Sequence, residues 1–157
     1  MTRLLFVCLG NIIRSPLAEN LFRFQAEQAG VDAKYSVDSA GTAAWHVGEP
    51  PDPRMRKTAE SHGVNNDGTA RQIEESDFDK FDWVVAMDSS NRRDLLEMAG
   101  SPERQAKVRL MREFDPEPED RDVPDPYYGG AEGFENTYRI VERSVRGLLE
   151  ALEAGKI

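Results

Sequence analysis

The sequence predicts an α/β fold, in which a doubly wound parallel sheet is flanked by helices on both faces. Short apolar runs that suit buried strands alternate along the chain with segments whose apolar residues recur every three or four positions, as they do on amphipathic helices. This alternation is typical of parallel sheets with right-handed crossovers. The 157 residues are predicted to form a single domain over 1–157, large enough to bury about two-thirds of its surface.

Four apolar runs are the predicted strands of that sheet. They are Leu4–Val7, Tyr35–Ala40, Trp83–Met87 and the weaker Val108–Met111. The first run is followed by a segment that contains Gly and Asn, and it suits a strand that is buried on both faces. In open α/β sheets, ligands bind beyond the carboxyl ends of the strands. The residues that follow these runs are therefore expected to meet along one edge of the sheet.

Helices are predicted between and after the strands, from capping residues and apolar spacing. The predicted starts are Ser15 as N-cap with Pro16 at the first position, Asp52 with Pro53, Ser89 or Ser90, and Phe134 on a long amphipathic helix, with one further turn at Ser76–Asp79. Gly30, Gly63 and Gly100 are predicted to end the first three long helices. The segment Glu113–Gly130 contains four prolines and many acidic residues. It is predicted to be a long surface loop.

The composition argues against several classes of partner. The chain has 20 Lys and Arg against 29 Asp and Glu, a formal charge of −9, whereas nucleic acids and anionic membrane surfaces require clustered positive charge. Cys8 is the only cysteine, so no disulfide forms within the chain, which fits a reducing, cytoplasmic location. The first residues lack the pattern of a secretory leader, and no apolar run approaches membrane-spanning length.

The segment from Cys8 to Ser15 connects the first predicted strand to the first predicted helix. Backbone N–H groups in such a tight loop can point into one concavity, and the positive end of the helix dipole faces the same way. This arrangement binds a phosphate-like anion and stabilises a thiolate, the nucleophilic form of cysteine. Arg14 is placed to bind two phosphate oxygens at once. The alternative is that Cys8 is a buried core thiol and Arg14 a surface charge.

The stretch CLGNIIRSP, Cys8–Pro16, resembles the active-site signature of the low-molecular-weight protein tyrosine phosphatases. Further stretches extend the resemblance along nearly the whole chain: DSAGT (Asp38–Thr42), WHVGEPPDPR (Trp45–Arg54), ARQI (Ala70–Ile73), MDSSN (Met87–Asn91) and DPYYGG (Asp125–Gly130). The resemblance implies a four-stranded parallel sheet in the order 2-1-3-4. One position departs from the family pattern: many members have a second cysteine directly before the arginine, where this chain has Ile13.

The resemblance implies a metal-independent hydrolase that acts on aryl phosphate monoesters such as phosphotyrosine and requires no cofactor. Cys8 would attack phosphorus and form a cysteinyl-phosphate, while Arg14 and the loop N–H groups bind the phosphoryl oxygens. Asp125, which lies between two prolines in the predicted surface loop, would protonate the departing oxygen and then activate water. Ser15 would donate a hydrogen bond to the Cys8 thiolate.

The remaining candidate residues are predicted to shape or support this site. The candidates for substrate binding are Leu9, Gly10, Asn11, Ile12, Ile13, Ser15, Trp45, Tyr127 and Tyr128, and those for support of the loop and of Arg14 are Ser39 and Asp88. Asn11 tolerates left-handed backbone and suits a sharp turn, and Gly10 leaves room for phosphate near the backbone. Aromatic residues at the mouth favour recognition of a phosphorylated aromatic side chain. His46 and His62 are expected to be structural or exposed, without a catalytic role.

The predicted partners are phosphotyrosine-containing proteins or small aryl phosphates, with inorganic phosphate or other oxyanions as product or inhibitor. Three alternative functions share parts of the pattern. Relatives that act on phosphoarginine tend to have Thr at the position of Ile12 and to lack the paired tyrosines Tyr127 and Tyr128, so this sequence favours aryl phosphate. Arsenate reductases of the same fold pass oxidation to further cysteines, which this chain lacks. A non-catalytic phosphotyrosine-binding module would need no acid such as Asp125.

Overall fold

The sheet has the predicted topology. The computed structural model describes residues 1–117 and 119–157 of the chain. The parallel strands are β1 (Thr2–Cys8), β2 (Tyr35–Gly41), β3 (Trp83–Ala86) and β4 (Val108–Leu110), and their order across the sheet is β2-β1-β3-β4. Phe6 pairs with both Ser39 and Val85. Because of this register, the carboxyl ends of three neighbouring strands lie level along one edge.

Helices cover both faces of the sheet. They are α1 (Arg14–Gln28), α2 (Pro53–Ser61), α3 (Asp77–Lys80), α4 (Ser89–Ala99), α5 (Pro102–Gln105) and α6 (Ala131–Glu153), with short 3-10 helices at Asp32–Lys34 and Met111–Phe114. Throughout 1–117 and 119–157, no helix is both long enough and apolar enough to cross a membrane. The short helix α5 was not predicted, because its four residues are too few to show an apolar period.

Strand β1 is buried on both faces, as its apolar run predicts. Leu4 and Phe6 pack in one apolar cluster with side chains of α1 and α6. Leu5 and Val7 point to the opposite face and pack in a second cluster with side chains of α3 and α4. Full burial of each such side chain stabilises the fold by about 1.5–3 kcal/mol. The strand that leads into Cys8 is therefore firmly fixed in the centre of the sheet.

Two of the predicted helix caps are wrong. Helix α1 begins at Arg14, so Ser15 lies inside its first turn and its hydroxyl does not cap the helix; that hydroxyl contacts Cys8 instead. Helix α4 is capped by Asp88, whose Oδ1 accepts a hydrogen bond from the backbone N–H of Asn91 at 2.7 Å, and not by the serines that follow. The predicted cap of α2 is confirmed, since Asp52 accepts from the N–H of Arg54 at 2.8 Å.

The segment after β4 departs from the prediction of a simple surface loop. Residues 113 and 114 belong to the 3-10 helix Met111–Phe114, and Asp115 and Val123 are buried. The Asp115 carboxylate binds Arg112 at 3.3 Å and Arg143 of α6 at 3.1 Å. A buried carboxylate held between two arginines explains why this acidic residue lies inside, which its sequence context did not indicate. The predicted loop also includes Pro118, which lies outside the described residues.

Two glycines of α6 provide a matched test of how closely that helix packs on the rest of the molecule. A Cβ at Gly147 would lie 1.9 Å from the carbonyl oxygen of Phe114, whereas a Cβ at Gly133 would meet Pro126 Cβ at an ordinary 3.6 Å. We expect Gly147→Ala to lower the free energy of unfolding by about 2 kcal/mol, because the backbone must shift. Gly133→Ala should leave it unchanged or slightly higher, since alanine favours helix. Urea unfolding of both variants measures the difference, and equal effects would contradict the close packing at Gly147.

Candidate active site

A cavity of about 190 Å³ opens where β1 ends. It is lined by Cys8, Leu9, Gly10, Ile12, Ile13, Arg14, Trp45, His46, Asp125, Tyr127 and Tyr128. All of these residues except His46 were singled out from the sequence as candidates, and they come from three separate stretches of the chain. The structure therefore brings the loop after β1, the loop after β2 and the segment after β4 to a single pocket.

The thiol of Cys8 lies at the base of the loop between β1 and α1. Its Sγ is 2.9 Å from the hydroxyl oxygen of Ser15 and accepts a hydrogen bond from the backbone N–H of Asn11 at 3.3 Å. Both groups can donate to sulfur, so they stabilise its ionised form. The side chain is 3% exposed. Although Cys8 belongs to the apolar core by burial, its sulfur faces polar donors and lines the cavity.

Asn11 fixes the turn of this loop. Its φ of 56° lies in the left-handed region. Residues other than glycine adopt this backbone conformation at a cost of about 1–2 kcal/mol, unless local hydrogen bonds compensate. The amide Nδ2 donates to Ser15 Oγ at 2.9 Å and to Ser39 Oγ at 3.0 Å, and Oδ1 accepts from the N–H of Arg71 at 2.9 Å. The Asn11 side chain thus joins the start of α1, the end of β2 and the stretch around Arg71.

The loop also lies directly against the end of β2. Thr42 N–H donates to the carbonyl of Cys8 at 2.9 Å, and Ala43 N–H donates to that of Leu9 at 3.0 Å. A Cβ at Gly41 would lie 2.8 Å from the Leu9 carbonyl oxygen, so only glycine allows this approach. Gly10 has a similar steric role, since its Cβ would lie 3.0 Å from the His46 ring.

Arg14 is a buried cation surrounded by acidic groups. It is 3% exposed, and its Nη1 donates to Asp88 Oδ2 at 2.7 Å and to the carbonyl of Val123 at 3.0 Å. Its Nη2 lies 3.6 Å from Asp125 Oδ2. Burial by itself lowers the pKa of Arg14, but its interactions with Cys8, Asp88 and Asp125 outweigh that effect and raise the pKa above its usual value. The guanidinium therefore stays charged beside the sulfur.

Asp125 and Asp88 contact Arg14 from different places. The Asp125 side chain is 41% exposed, lines the cavity, and accepts a hydrogen bond from the N–H of Tyr127 at 3.1 Å. Asp88 is more enclosed and uses one oxygen for Arg14 and the other to cap α4. The surroundings of the two carboxylates thus differ: Asp88 holds the guanidinium in place, whereas Asp125 lines the cavity, where a bound molecule can meet it.

The mouth of the cavity is aromatic. Trp45 is 73% exposed and Tyr128 is 98% exposed, while Leu9 and Tyr127 are partly exposed. The rings of Tyr127 and Tyr128 meet edge to face, with centroids 4.9 Å apart. Exposed aromatic side chains around a cavity typically mark a recognition surface.

His46 was not among the residues that the sequence predicts for the site, but the structure places it there. Its ring lines the cavity, lies 6.5 Å from the Tyr127 ring, and has Nδ1 at 2.6 Å from a Glu49 carboxylate oxygen. The neighbouring Trp45, already predicted to lie at the mouth, was the available signal. His62 is structural as predicted, since it stacks on Tyr138 with centroids 4.1 Å apart.

Ser39 lies where the prediction of a supporting role requires. Its hydroxyl accepts from Asn11 Nδ2 and donates to Glu19 Oε1 at 2.7 Å. The sequence did not single out Arg54, whose Nη1 donates to the carbonyl of Tyr127, or Arg71, whose backbone N–H donates to Asn11 Oδ1. Their positions in the matching stretches WHVGEPPDPR and ARQI were the signal that could have found them.

Comparison with known proteins identifies the family. Residues 3–156 match the sequence model described as "Low molecular weight phosphotyrosine protein phosphatase". The chain belongs to this family. A relative in Streptomyces coelicolor, a low molecular weight protein-tyrosine-phosphatase, is 47% identical over 152 residues that cover 96% of this chain and 93% of the relative. The resemblance stated from the sequence is therefore confirmed.

Solved structures of the family have the same fold. A protein tyrosine phosphatase from Entamoeba histolytica, with Hepes in the active site, is 40% identical, covers all of both chains and superposes with a TM-score of 0.97. A drosophila arginine phosphatase is 33% identical, covers 98% of each chain and has a TM-score of 0.89. Proteins with these two descriptions thus share one architecture with this chain.

The left-handed backbone at Asn11 is tested by two substitutions. Asn11→Gly and Asn11→Ala both remove the amide hydrogen bonds, but only glycine adopts a φ of 56° freely. We expect Asn11→Ala to have a free energy of unfolding lower than that of Asn11→Gly by about 1 kcal/mol. Urea unfolding of the two variants in parallel measures this difference. If Asn11→Ala were as stable as Asn11→Gly, the backbone constraint would not be the reason for asparagine here.

Proposed function

We propose that this chain is a metal-independent protein tyrosine phosphatase that hydrolyses phosphotyrosine in proteins, and small aryl phosphates, through a cysteinyl-phosphate. The observation that carries the proposal is the sulfur of Cys8, held 2.9 Å from Ser15 Oγ and 3.3 Å from the Asn11 N–H in a cavity that Arg14 and Asp125 also line. Membership of the phosphotyrosine protein phosphatase family supports it.

In the first step, the Cys8 thiolate attacks phosphorus. An S–P bond forms, and the P–O bond to the tyrosine oxygen breaks. The Ser15 hydroxyl and the Asn11 N–H stabilise negative charge on sulfur before the attack and again when sulfur leaves. Hydrogen bonds to a charged group each contribute about 1.5–3 kcal/mol. Covalent catalysis of this kind divides one difficult displacement into two easier ones.

Arg14 and the loop N–H groups bind the equatorial oxygens of the phosphoryl group, where charge accumulates in the transition state. The ion pair with Asp88 at 2.7 Å orients the guanidinium in advance, so little rearrangement is needed during the reaction. A planar guanidinium offers two parallel N–H donors, which a lysine does not. Preorganised charges of this kind are a major source of transition-state stabilisation in enzymes.

Asp125 moves the protons. As an acid it donates its proton to the departing phenolic oxygen, so that tyrosine leaves as a neutral hydroxyl. As a base it then takes a proton from the water that attacks phosphorus, which breaks the S–P bond and returns sulfur to the thiolate while inorganic phosphate leaves. Its partial exposure and its place on the cavity wall suit a group that must reach both substrate and water.

The walls support a preference for aryl phosphate. Trp45 and Tyr127 lie at the mouth, and a long aromatic substrate would pass between them to reach the loop that carries Cys8. Phosphoarginine is the second candidate, since an arginine phosphatase is among the similar structures. Ile12 in the cavity and the pair Tyr127 and Tyr128 favour phosphotyrosine. A panel of phosphotyrosine, phosphoarginine and phosphoserine peptides tests this order. We expect the phosphotyrosine peptide to be hydrolysed fastest, and faster hydrolysis of the phosphoarginine peptide would overturn the preference.

Arsenate reduction and phosphate binding without catalysis are tested with the same protein. Arsenate reduction would need an external thiol, because Cys8 is the only cysteine. A non-catalytic binding module would bind inorganic phosphate without hydrolysing p-nitrophenyl phosphate.

A cytoplasmic location, which the absence of a disulfide within the chain favours, completes the proposal.

We expect Asp125→Asn to lower kcat for phenyl phosphate by about 10²–10⁴, because asparagine cannot donate a proton to the leaving oxygen. Asp120→Asn, in the same acidic segment, is the matched control and should behave as the unmodified protein, since the Asp120 carboxylate bonds to neighbouring backbone N–H groups. Steady-state kinetics measure both. A loss below threefold in Asp125→Asn, with product release shown not to limit the rate, would remove the acid assignment.

The presence of Ile13 in place of a second cysteine predicts how Cys8 responds to oxidation. Family members with a second cysteine at this position can protect an oxidised nucleophile as a disulfide, whereas oxidised Cys8 has no such partner in this chain. Prolonged treatment with hydrogen peroxide should therefore drive Cys8 to sulfinic and sulfonic acids that dithiothreitol does not reduce. Activity recovered after dithiothreitol measures the protected fraction, and Ile13→Cys is expected to increase it. Full recovery in the unmodified protein would contradict this prediction.

A further inference from the structure

Arg54, on α2, links two loops of the active site. Its Nη1 donates to the carbonyl of Tyr127 at 2.8 Å. Its Nε and Nη2 donate to the two carboxylate oxygens of Asp52 at 3.1 and 2.9 Å. The Asp52 N–H in turn donates to the carbonyl of Ile12 at 2.8 Å. A continuous series of hydrogen bonds therefore joins the loop that carries Cys8 to the segment that carries Asp125.

The segment 124–128, which we call the acid loop, is held in place partly by hydrogen bonds from side chains of α2 and α6. Two prolines flank Asp125 and supply no N–H donors. The Pro124 carbonyl accepts from Thr137 Oγ1 of α6 at 3.1 Å, and the Tyr127 carbonyl accepts from Arg54. These two hydrogen bonds reach the acid loop on either side of the Asp125 carboxylate. Loss of one leaves that side of the acid loop less constrained.

Arg54 also contacts aromatic rings on the same side. Its guanidinium carbon lies 5.3 Å from the centroid of the Tyr127 ring and 4.6 Å from that of Phe134 on α6. Such cation–π contacts favour arginine over lysine. Burial by itself would raise the pKa of Asp52, but hydrogen bonds from Arg54 outweigh this and hold the pKa below its usual value. Arg54 and Asp52 are therefore both charged near neutral pH.

We propose that Arg54 is a positioning residue for the general acid: its contacts with Asp52 and Tyr127 hold the acid loop at the distance from the Cys8 loop that places Asp125 against the leaving oxygen. The inference rests on the proposed function, since it assigns Arg54 an effect through Asp125. It predicts that removal of Arg54 slows formation of the cysteinyl-phosphate only for substrates whose leaving group needs a proton, whereas hydrolysis of the cysteinyl-phosphate, in which Asp125 acts as base, is common to all substrates. The phosphate-binding step, which depends on Arg14 and the Cys8 loop, should be little affected.

The test compares two aryl phosphates in steady-state kinetics. Phenyl phosphate has a poor leaving group that needs the acid, and dinitrophenyl phosphate has a good one that does not; neither has a peptide that could contact Arg54. The quantity compared is kcat/KM, which reports formation of the cysteinyl-phosphate and not its hydrolysis. We expect Arg54→Ala to lose about tenfold in kcat/KM for phenyl phosphate, as a displaced catalytic group does, and about twofold or less for dinitrophenyl phosphate. Arg54→Lys should show an intermediate loss for phenyl phosphate, because one amine cannot bond both Asp52 oxygens and the carbonyl.

The control and the double variant separate positioning from a general structural effect. Arg56→Ala, two residues further along α2, removes an exposed arginine that binds Asp67 at 3.2 Å and should match the unmodified protein on both substrates. Arg54→Ala combined with Asp125→Asn should be no slower on phenyl phosphate than Asp125→Asn alone, because the two changes act through one group. Equal losses of Arg54→Ala on both substrates, or additive losses in the double variant, would overturn the proposal.

A failure of the proposed function would look different. If Asp125→Asn itself lost kcat/KM equally on both aryl phosphates, Asp125 would not be the acid, and the role of Arg54 would fall with it. If Asp125→Asn were selective and Arg54→Ala were not, the acid assignment would stand and only the positioning role of Arg54 would be wrong.

Discussion

The site depends on the sulfur of Cys8, which lies in a loop that water barely reaches and which carries a negative charge in the proposed mechanism. A buried charge is costly unless polar groups surround it, and the fold supplies these groups with Ser15 Oγ and the Asn11 N–H at hydrogen-bond distance from Cys8. The N–H of Asn11 points at sulfur because the backbone there turns into the left-handed region. The Asn11 amide then holds the turn in place through Ser15 and Ser39.

The charges around the cavity resolve the conflict between an acidic protein and an anionic substrate. The net charge of −9 is spread over the surface, where physiological salt screens interactions beyond about 8 Å. Arg14 is buried beside the sulfur and is little screened. Its ion pair with Asp88 fixes the guanidinium without using all of its N–H donors, so the remaining donors are available to a phosphoryl group.

Much of this arrangement could be predicted from the sequence, because the residues concerned follow strands whose patterns are clear. The run Leu4–Val7 predicts a buried strand, and the place where it ends puts Cys8 at the ligand-binding edge of the sheet. Asp125 was found through the stretch DPYYGG, since an aspartate among many acidic residues carries little signal by itself. The prediction that Ser15 caps the helix was wrong because its hydroxyl has a tertiary partner, which overrides a local preference.

What the sequence could not predict are contacts between distant segments. Arg54 and His46 lie in the matching stretch WHVGEPPDPR, but that stretch does not show what they contact. Their places against Tyr127 and the cavity follow from how the segments pack. The burial of Asp115 depends likewise on two arginines, one of them on the last helix. Side chains that act across the fold are visible only when the segments are brought together.

The central claim is that the Cys8 sulfur becomes covalently bonded to phosphorus during the reaction. The most direct measurement is rapid quenching of turnover with phenyl phosphate, followed by mass spectrometry of the peptide that contains Cys8. The account predicts one phosphate on that cysteine in the unmodified protein, and neither phosphate nor hydrolysis in Cys8→Ser. Undiminished hydrolysis by Cys8→Ser, with no phosphorylated cysteine trapped in the unmodified protein, would contradict it.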